Sequence, residues 1–309
     1  MTTTRIRLPT FFIAGAPNAG TTSLYYYLRQ HPQVYMCPVK EPNFFGAAEF
    51  LAARERSFKE RQVTRRLSWI ETLLGPTERP PTWDDYLKFF RGVRGEIAVG
   101  EASVRYLELP GAAGAIRSRI PAARLVFILR HPVEWLRKRY LKTFWRDPPG
   151  MFLSRFRAAQ HSQDPFVAFA AVGRYATHLQ RFFDAFPREQ IHVHLYEDFQ
   201  GDGRAVVRKI LAFVGVDPDY PINMSRRHNE TGVPRFGIGE TLRRQAFGGT
   251  AIIERLPLWV RRVLQRAYYR RRPDFVVDPA ARAEVIEYYR DEILRTADLI
   301  GRDLSAWLR

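Results

Sequence analysis

The sequence predicts an α/β protein in three layers, with a mainly parallel central sheet and helices on both faces. Short apolar runs alternate along the chain with longer stretches of helical periodicity, and no internal repeat or low-complexity linker interrupts them. At 46% hydrophobic residues in 309, the chain can bury a substantial core, and this content excludes a disordered polypeptide. Crossovers between parallel strands are right-handed, and ligands lie beyond the strands' carboxyl ends.

The elements follow in order. Thr10–Ala14 reads as a buried strand and Gly20–Gln30 as the helix after it. Ile97–Val99 is a short strand, followed by a helix within Pro110–Arg119. Arg124–Leu129 (RLVFIL) is the clearest strand; Pro132 suits a helix's first turn and Val133–Trp145 has helical spacing. Ile191–Tyr196 is a strand, while Gly203–Val214 and Asp278–Ile300 are helices. Residues 47–90 read as charged and helical. Residues 217–239 read as a loop rich in Pro and Gly, of the kind that often forms a lid or binding loop. The chain, 1–309, reads as one domain with a basic helical segment at about 241–273.

The formal net charge of +17 favours an anionic partner: a phosphate-bearing cofactor, an acidic glycan, an anionic lipid or nucleic acid. Nucleic acid is the least favoured, because no reading motif accompanies the charge. The single cysteine, Cys37, permits no disulfide framework within the chain and suits a reducing compartment. The first residues run too soon into Pro, Gly and Asn for a signal peptide, and no long apolar stretch predicts a spanning helix. The expected location is therefore cytoplasmic. Within 241–273, nine arginines alternate with apolar residues. Such a segment packs one face on the core, binds a polyanion, or lies peripherally on an anionic membrane.

The chemistry concentrates after the first strand. Gly15-Ala16-Pro17-Asn18-Ala19-Gly20-Thr21-Thr22 has the Gly-x4-Gly spacing of a P-loop. Glycines allow close backbone approach to an anion, and a helix N-terminus presents N–H groups and a positive dipole end. Thr21, Thr22 and Ser23 add hydroxyls. Thr21 stands where a nucleotide triphosphatase has lysine, which disfavours ATP or GTP hydrolysis. Further on, Arg130 ends a strand just before a helix start, another place for an anion. No His/Cys cluster has metal-ligand spacing, so no metal is expected.

The run AGAPNAGTTSLYYYLRQHPQVYMCPVKEPNFF resembles the donor-binding segment of the PAPS-dependent sulfotransferases, most closely the bacterial branch related to heparan sulfate sulfotransferases. Gly15, Gly20, Thr21, Thr22, His31, Pro32, Lys40, Glu41, Pro42, Phe44 and Phe45 match that pattern. The resemblance implies a P-loop-like fold that transfers a sulfuryl group from PAPS to a hydroxyl on a glycan or small metabolite, releasing PAP. It implies that Gly15, Pro17, Asn18, Ala19, Gly20, Thr21, Thr22 and Ser23 bind the donor. It also implies that Arg130 and the position of Lys138 bind its 3′-phosphate, with Arg235 in a late loop near the cofactor.

Two positions depart from the family. The loop lysine that contacts the leaving phosphate is Asn18 here, and the serine eight residues after Arg130 is Lys138. Asparagine donates a hydrogen bond without charge; losing the charge is worth a few kcal/mol, on the order of a hundredfold in rate. Lys40 and Lys138 are candidates to supply it. The resemblance makes Glu41 the catalytic base. Glu101, in a Glu-x-Ser-x-x-Tyr segment with Ser103 and Tyr106, is the alternative base or a substrate-orienting group. Gly173-x-Tyr175 matches a helix start that the resemblance places near the acceptor cleft. A PAPS- or PAP-binding homologue with impaired catalysis is the alternative reading.

Overall fold

The computed structural model describes residues 6–46, 81–144, 147–160, 170–226, 232–234, 269–271 and 275–309. Five strands form one parallel sheet: β1 (Phe11–Gly15), β2 (Val34–Met36), β3 (Ala98–Ala102), β4 (Arg124–Leu129) and β5 (Ile191–Leu195), in the order β2-β3-β1-β4-β5. β1 is central and every residue of FFIAG is buried, so it is continuously apolar rather than alternating. Chain order reverses direction at β1 and β4: the connections from β1 lead to β2 and β3 on one side, and those after β3 to β4 and β5 on the other. Such a switch point opens a crevice at the strands' carboxyl ends.

Helices cover both faces. They are α1 (Thr21–Leu28), α2 (Trp83–Leu87), α3 (Ala112–Arg119), α4 (Pro132–Thr143), α5 (Phe152–Gln160), α6 (Tyr175–Ala185), α7 (Tyr196–Gly201), α8 (Gly203–Val214) and α9 (Pro279–Ile300). α1 packs with α8, while α9 packs against α6 and α4, and α3 against α6. Local chemistry sets the ends. The His131 ring accepts from the N–H of Val133 ahead of Pro132 in α4, and Asp202 and Asp278 cap α8 and α9. Gly215 and Gly301 end α8 and α9 in the left-handed region.

Several elements differ from the expectation. β3 continues through Gly100 and Glu101, residues poor in strand propensity, because pairing with β1 and β2 holds them. Gly100 is required there: a Cβ would sit 2.3 Å from the Phe11 ring. β2, a run of three residues between two prolines, carries too little periodicity to be read from sequence. Tyr269–Arg271, within the segment expected to be helical at about 241–273, pairs as a strand with Gly232–Pro234 in the expected 217–239 loop. The rest of 241–273 lies outside the described residues, apart from that strand, as do 47–80 of the charged stretch.

Candidate functional site

The loops after all five strands meet at one edge of the sheet. The loop from β1 to α1, Ala16–Gly20, is held from its underside by β4 and α4. Ala16 donates its N–H to the Ile128 carbonyl at 2.8 Å, Trp135 donates its indole N–H to the Pro17 carbonyl at 2.6 Å, and Arg130 Nη1 donates to the Asn18 carbonyl at 3.1 Å. Two loop residues hold positive φ, Asn18 at 60° and Gly20 at 83°. Gly20 is the N-cap of α1 and contributes no side chain to cap it, and a Cβ there would meet the Phe199 and Tyr196 rings at 3.0–3.1 Å. The geometry leaves the start of α1, with the hydroxyls of Thr21, Thr22 and Ser23, as a backbone cradle suited to an anion. Thr21 and Ser23 are themselves buried.

Arg130 sits one strand away, at the end of β4. It is 7% exposed, its guanidinium lies 4.4 Å from the Tyr196 ring centre, and its Nε has no partner among the described residues. A buried guanidinium with an unspent donor asks for an anionic oxygen. Its backbone is fixed too: the buried Tyr175 hydroxyl donates to the Arg130 carbonyl at 2.9 Å. Tyr175, expected near an acceptor cleft, therefore braces the Arg130 turn, because α6 begins beneath β4. Gly173 lets the chain pass Tyr289, whose ring atoms a Cβ would meet at 2.8 Å.

The turn after Arg130 is braced from below. Glu197 accepts the His131 N–H at 3.0 Å, and burial raises the Glu197 pKa. Burial, reinforced by Arg282, pushes the His131 pKa down to about 4, so the ring stays neutral and free to accept as a helix cap. Trp307, near the C-terminus, packs 6.0 Å from His131 and 6.1 Å from Tyr175. Lys138 is half-buried, two turns into α4 and one turn beyond Trp135 on the same side of the helix.

On the other side of β1, the segment after β2 lies along the end of β3. Cys37 donates its N–H to the Gly100 carbonyl at 2.7 Å and Glu41 to that of Ala102 at 2.8 Å. Glu41 and Asn43, flanking Pro42, both take positive φ, 65° and 50°. Left-handed non-glycine residues on one short segment mark a conformation imposed by its surroundings. The Lys40 and Glu41 side chains, both half-buried, form an ion pair at 2.5 Å. Glu101 lies inside, wholly buried, accepting from the Tyr86 hydroxyl at 2.6 Å and the Ser103 hydroxyl at 2.5 Å. Burial raises its pKa to about 7. An enclosed carboxylate with both oxygens engaged is poorly placed to take a proton from a bound alcohol.

Loop and Arg130 are thus joined by a direct hydrogen bond, with the Glu41 segment and Glu101 across β1 at the same edge. Arg235 lies outside the described residues. Among the described residues no three His, Cys, Asp or Glu side chains group as a metal site, and no helix is long and apolar enough to cross a membrane. Trp135, Tyr196, His131 and Glu197 were not predicted as site residues. The one sequence signal was Trp135, a large ring whose N–H needs an acceptor once buried.

The model of the sulfotransferase family matches residues 9–220, from before β1 to the segment after α8. The chain belongs to the sulfotransferase family. Over 98% of its length, and all of the other chain, it is 31% identical to a sulfotransferase from Alicyclobacillus acidocaldarius of known crystal structure, with a TM-score of 0.67. It is 27% identical over 215 residues to human heparan sulfate glucosamine 3-O-sulfotransferase 6, covering 69% of this chain. It is 22% identical over 314 residues to human bifunctional heparan sulfate N-deacetylase/N-sulfotransferase 2, covering 98% of this chain. The chain spans 54% and 31% of the length of those two human proteins.

Proposed function

We propose that this chain transfers a sulfuryl group from PAPS to a hydroxyl acceptor, a glycan or small metabolite, and releases PAP. The observation that carries the reading is the direct link between the glycine loop and Arg130, which sets two anion-binding features at the carboxyl ends of adjacent strands. PAPS has two anionic ends, and the residues fit it: the start of α1 for the 5′-phosphosulfate, and the unspent Arg130 Nε with Lys138 for the 3′-phosphate. When bound, PAPS supplies the sulfuryl group, and its 5′-phosphate oxygen is the leaving group. In this reading Glu41, paired with the Lys40 ammonium, takes the acceptor hydroxyl's proton at a carboxylate oxygen. Positioning and charge stabilisation supply most of the rate. The heparan sulfate relatives support a carbohydrate acceptor. The lone, buried Cys37, its thiol pKa raised by burial, agrees with a cytoplasmic location.

Calorimetry with PAP, ATP and adenosine 5′-phosphosulfate tests donor recognition, and mass detection of sulfated product across an acceptor panel tests transfer. Preference for PAP with product formed is expected; equal affinities would overturn the reading. Glu41→Gln abolishes product while PAP affinity stays within about twofold; unchanged turnover removes Glu41 as base. A second reading, donor binding with little catalysis, is favoured by Asn18, which brings no charge to the loop and whose carbonyl is tied to Arg130. Tight PAP binding without product from any acceptor supports it.

A further inference from the structure

The hydrogen bonds around Glu101 run in one direction. The Asn43 N–H donates to the Ser103 hydroxyl at 2.9 Å, and Ser103 donates its only proton to Glu101 Oε1 at 2.5 Å. The Phe45 N–H donates to the Tyr106 hydroxyl at 3.3 Å, and that hydroxyl neighbours both Ser103 and Glu101. Tyr86 donates to Oε2 at 2.6 Å. We propose that Glu101, as a carboxylate, is a positioning residue for Glu41: it keeps the Ser103 hydroxyl turned inward, so that its outer lone pair anchors the Asn43 amide.

The argument is one of proton counting. A hydroxyl has one proton to give, and a carboxylate accepts on both oxygens and donates nothing. Ser103 can accept from the Asn43 amide only while its own proton points at Glu101. A protonated Glu101, or glutamine, brings a donor against the hydroxyl donors Ser103 and Tyr86. With that donor at Oε1, Ser103 must turn round, which sets its proton against the Asn43 N–H. The titratable groups facing Glu101 are Tyr86 from α2, Tyr106 after β3 and Cys37 after β2. The anchored amides belong to the segment in which Glu41 and Asn43 are left-handed. Asn43 further donates its side-chain amide to the Glu41 carbonyl at 2.8 Å. Loss of the relay therefore releases the backbone that aims Glu41.

The role as aim for a catalytic base rests on the proposed function, whereas the relay itself does not, and the test separates them. Amide hydrogen exchange of Asn43 and Phe45 is read by NMR at pH 8.5 in the intact protein and in variants, with Val126 and Ile128 of β4 as references. Glu101→Gln and Ser103→Ala each accelerate exchange at Asn43 by roughly tenfold or more, Tyr106→Phe does so at Phe45 alone, and β4 is unchanged. In the wild type the Asn43 amide loses protection as pH falls through the Glu101 transition, and Glu101→Gln shows no such step. In the transfer assay Glu101→Gln lowers kcat while PAP affinity and acceptor KM hold. Retained protection at Asn43 in Glu101→Gln overturns the proposal, as does acceleration shared equally by β4. Should Glu101→Gln fail to fold, the two single-arm variants decide: faster exchange at the wrong amide, or at neither, overturns it. If exchange behaves as expected but the wild type transfers no sulfuryl group, the relay stands and the reading of Glu41 as base falls.

Discussion

Asn18→Lys is the perturbation that divides the two functional readings, and its two opposed effects can be weighed. Asn18 holds φ at 60°, a region that asparagine tolerates better than most side chains. Lysine there costs roughly 1 kcal/mol of folded stability. Its ammonium also enters beside the Arg130 guanidinium, whose Nη1 is 3.1 Å from the Asn18 carbonyl, so repulsion adds to the cost before donor binds. Together these predict a Tm lower by about 2–5 °C in calorimetry. Against this, a cation at the leaving phosphate is worth about 2.7–4 kcal/mol in the transition state, by comparison with single donors at developing anions. Turnover should then rise by about a hundredfold to a thousandfold, while PAP affinity rises far less, because the gain belongs to the charge that develops during transfer. The assay is product formation against time at saturating PAPS with the best acceptor of the panel. Unchanged or lower kcat with intact PAP affinity would refute the reasoning: the missing charge would then be supplied elsewhere, or asparagine would have its own task.

Arg130→Ala should weaken PAP by roughly 10–150-fold, the worth of charge-assisted hydrogen bonds to a phosphate. Adenosine 5′-phosphosulfate, which lacks the 3′-phosphate, should change by less than about threefold; equal losses for both nucleotides in calorimetry would remove Arg130 from the 3′-phosphate site. Trp135→Phe deletes the 2.6 Å bond to the Pro17 carbonyl and should cost about 1–2 kcal/mol in chemical denaturation, with weaker PAP binding because the loop loses its support. Unchanged PAP affinity would show that the loop keeps its shape without that bond. The pH dependence of stability has a worked sign. The Glu101 pKa rises from 4.5 to about 7 on folding, so its contribution is fully present below pH 4.5 and is lost as pH climbs through 7, by about 3 kcal/mol. Burial pushes the His131 and His194 pKa values down to about 4, which tilts the curve the opposite way between pH 4 and 6.5. The wild-type minus Glu101→Gln difference isolates the carboxylate. A difference curve flat between pH 4.5 and 7 would contradict a raised Glu101 pKa.

The sequence by itself determined the α/β class, the principal strands and the glycine loop, because these rest on local periodicity and on short motifs. RLVFIL is apolar enough to name itself a core strand, and Arg124–Leu129 has the bounds expected of it. Gly15–Thr22 declares its turn through glycine spacing and its position between a strand and a helix. Only the tertiary structure decided the course of β3 through Gly100 and Glu101, since strand pairing on both sides overrides two unfavourable residues. It alone joined Arg130 to the Asn18 carbonyl across 112 residues, put Trp135 beneath Pro17, and set the Tyr175 hydroxyl on the Arg130 carbonyl. It also buried Glu101, the alternative base or substrate-orienting group of the Glu-x-Ser-x-x-Tyr segment. Hydrogen bonds between residues so far apart leave no periodicity in the sequence. They exist only once the parallel sheet has brought its strand ends to one edge, and there burial decides which carboxylate titrates, which is satisfied and which is left to act.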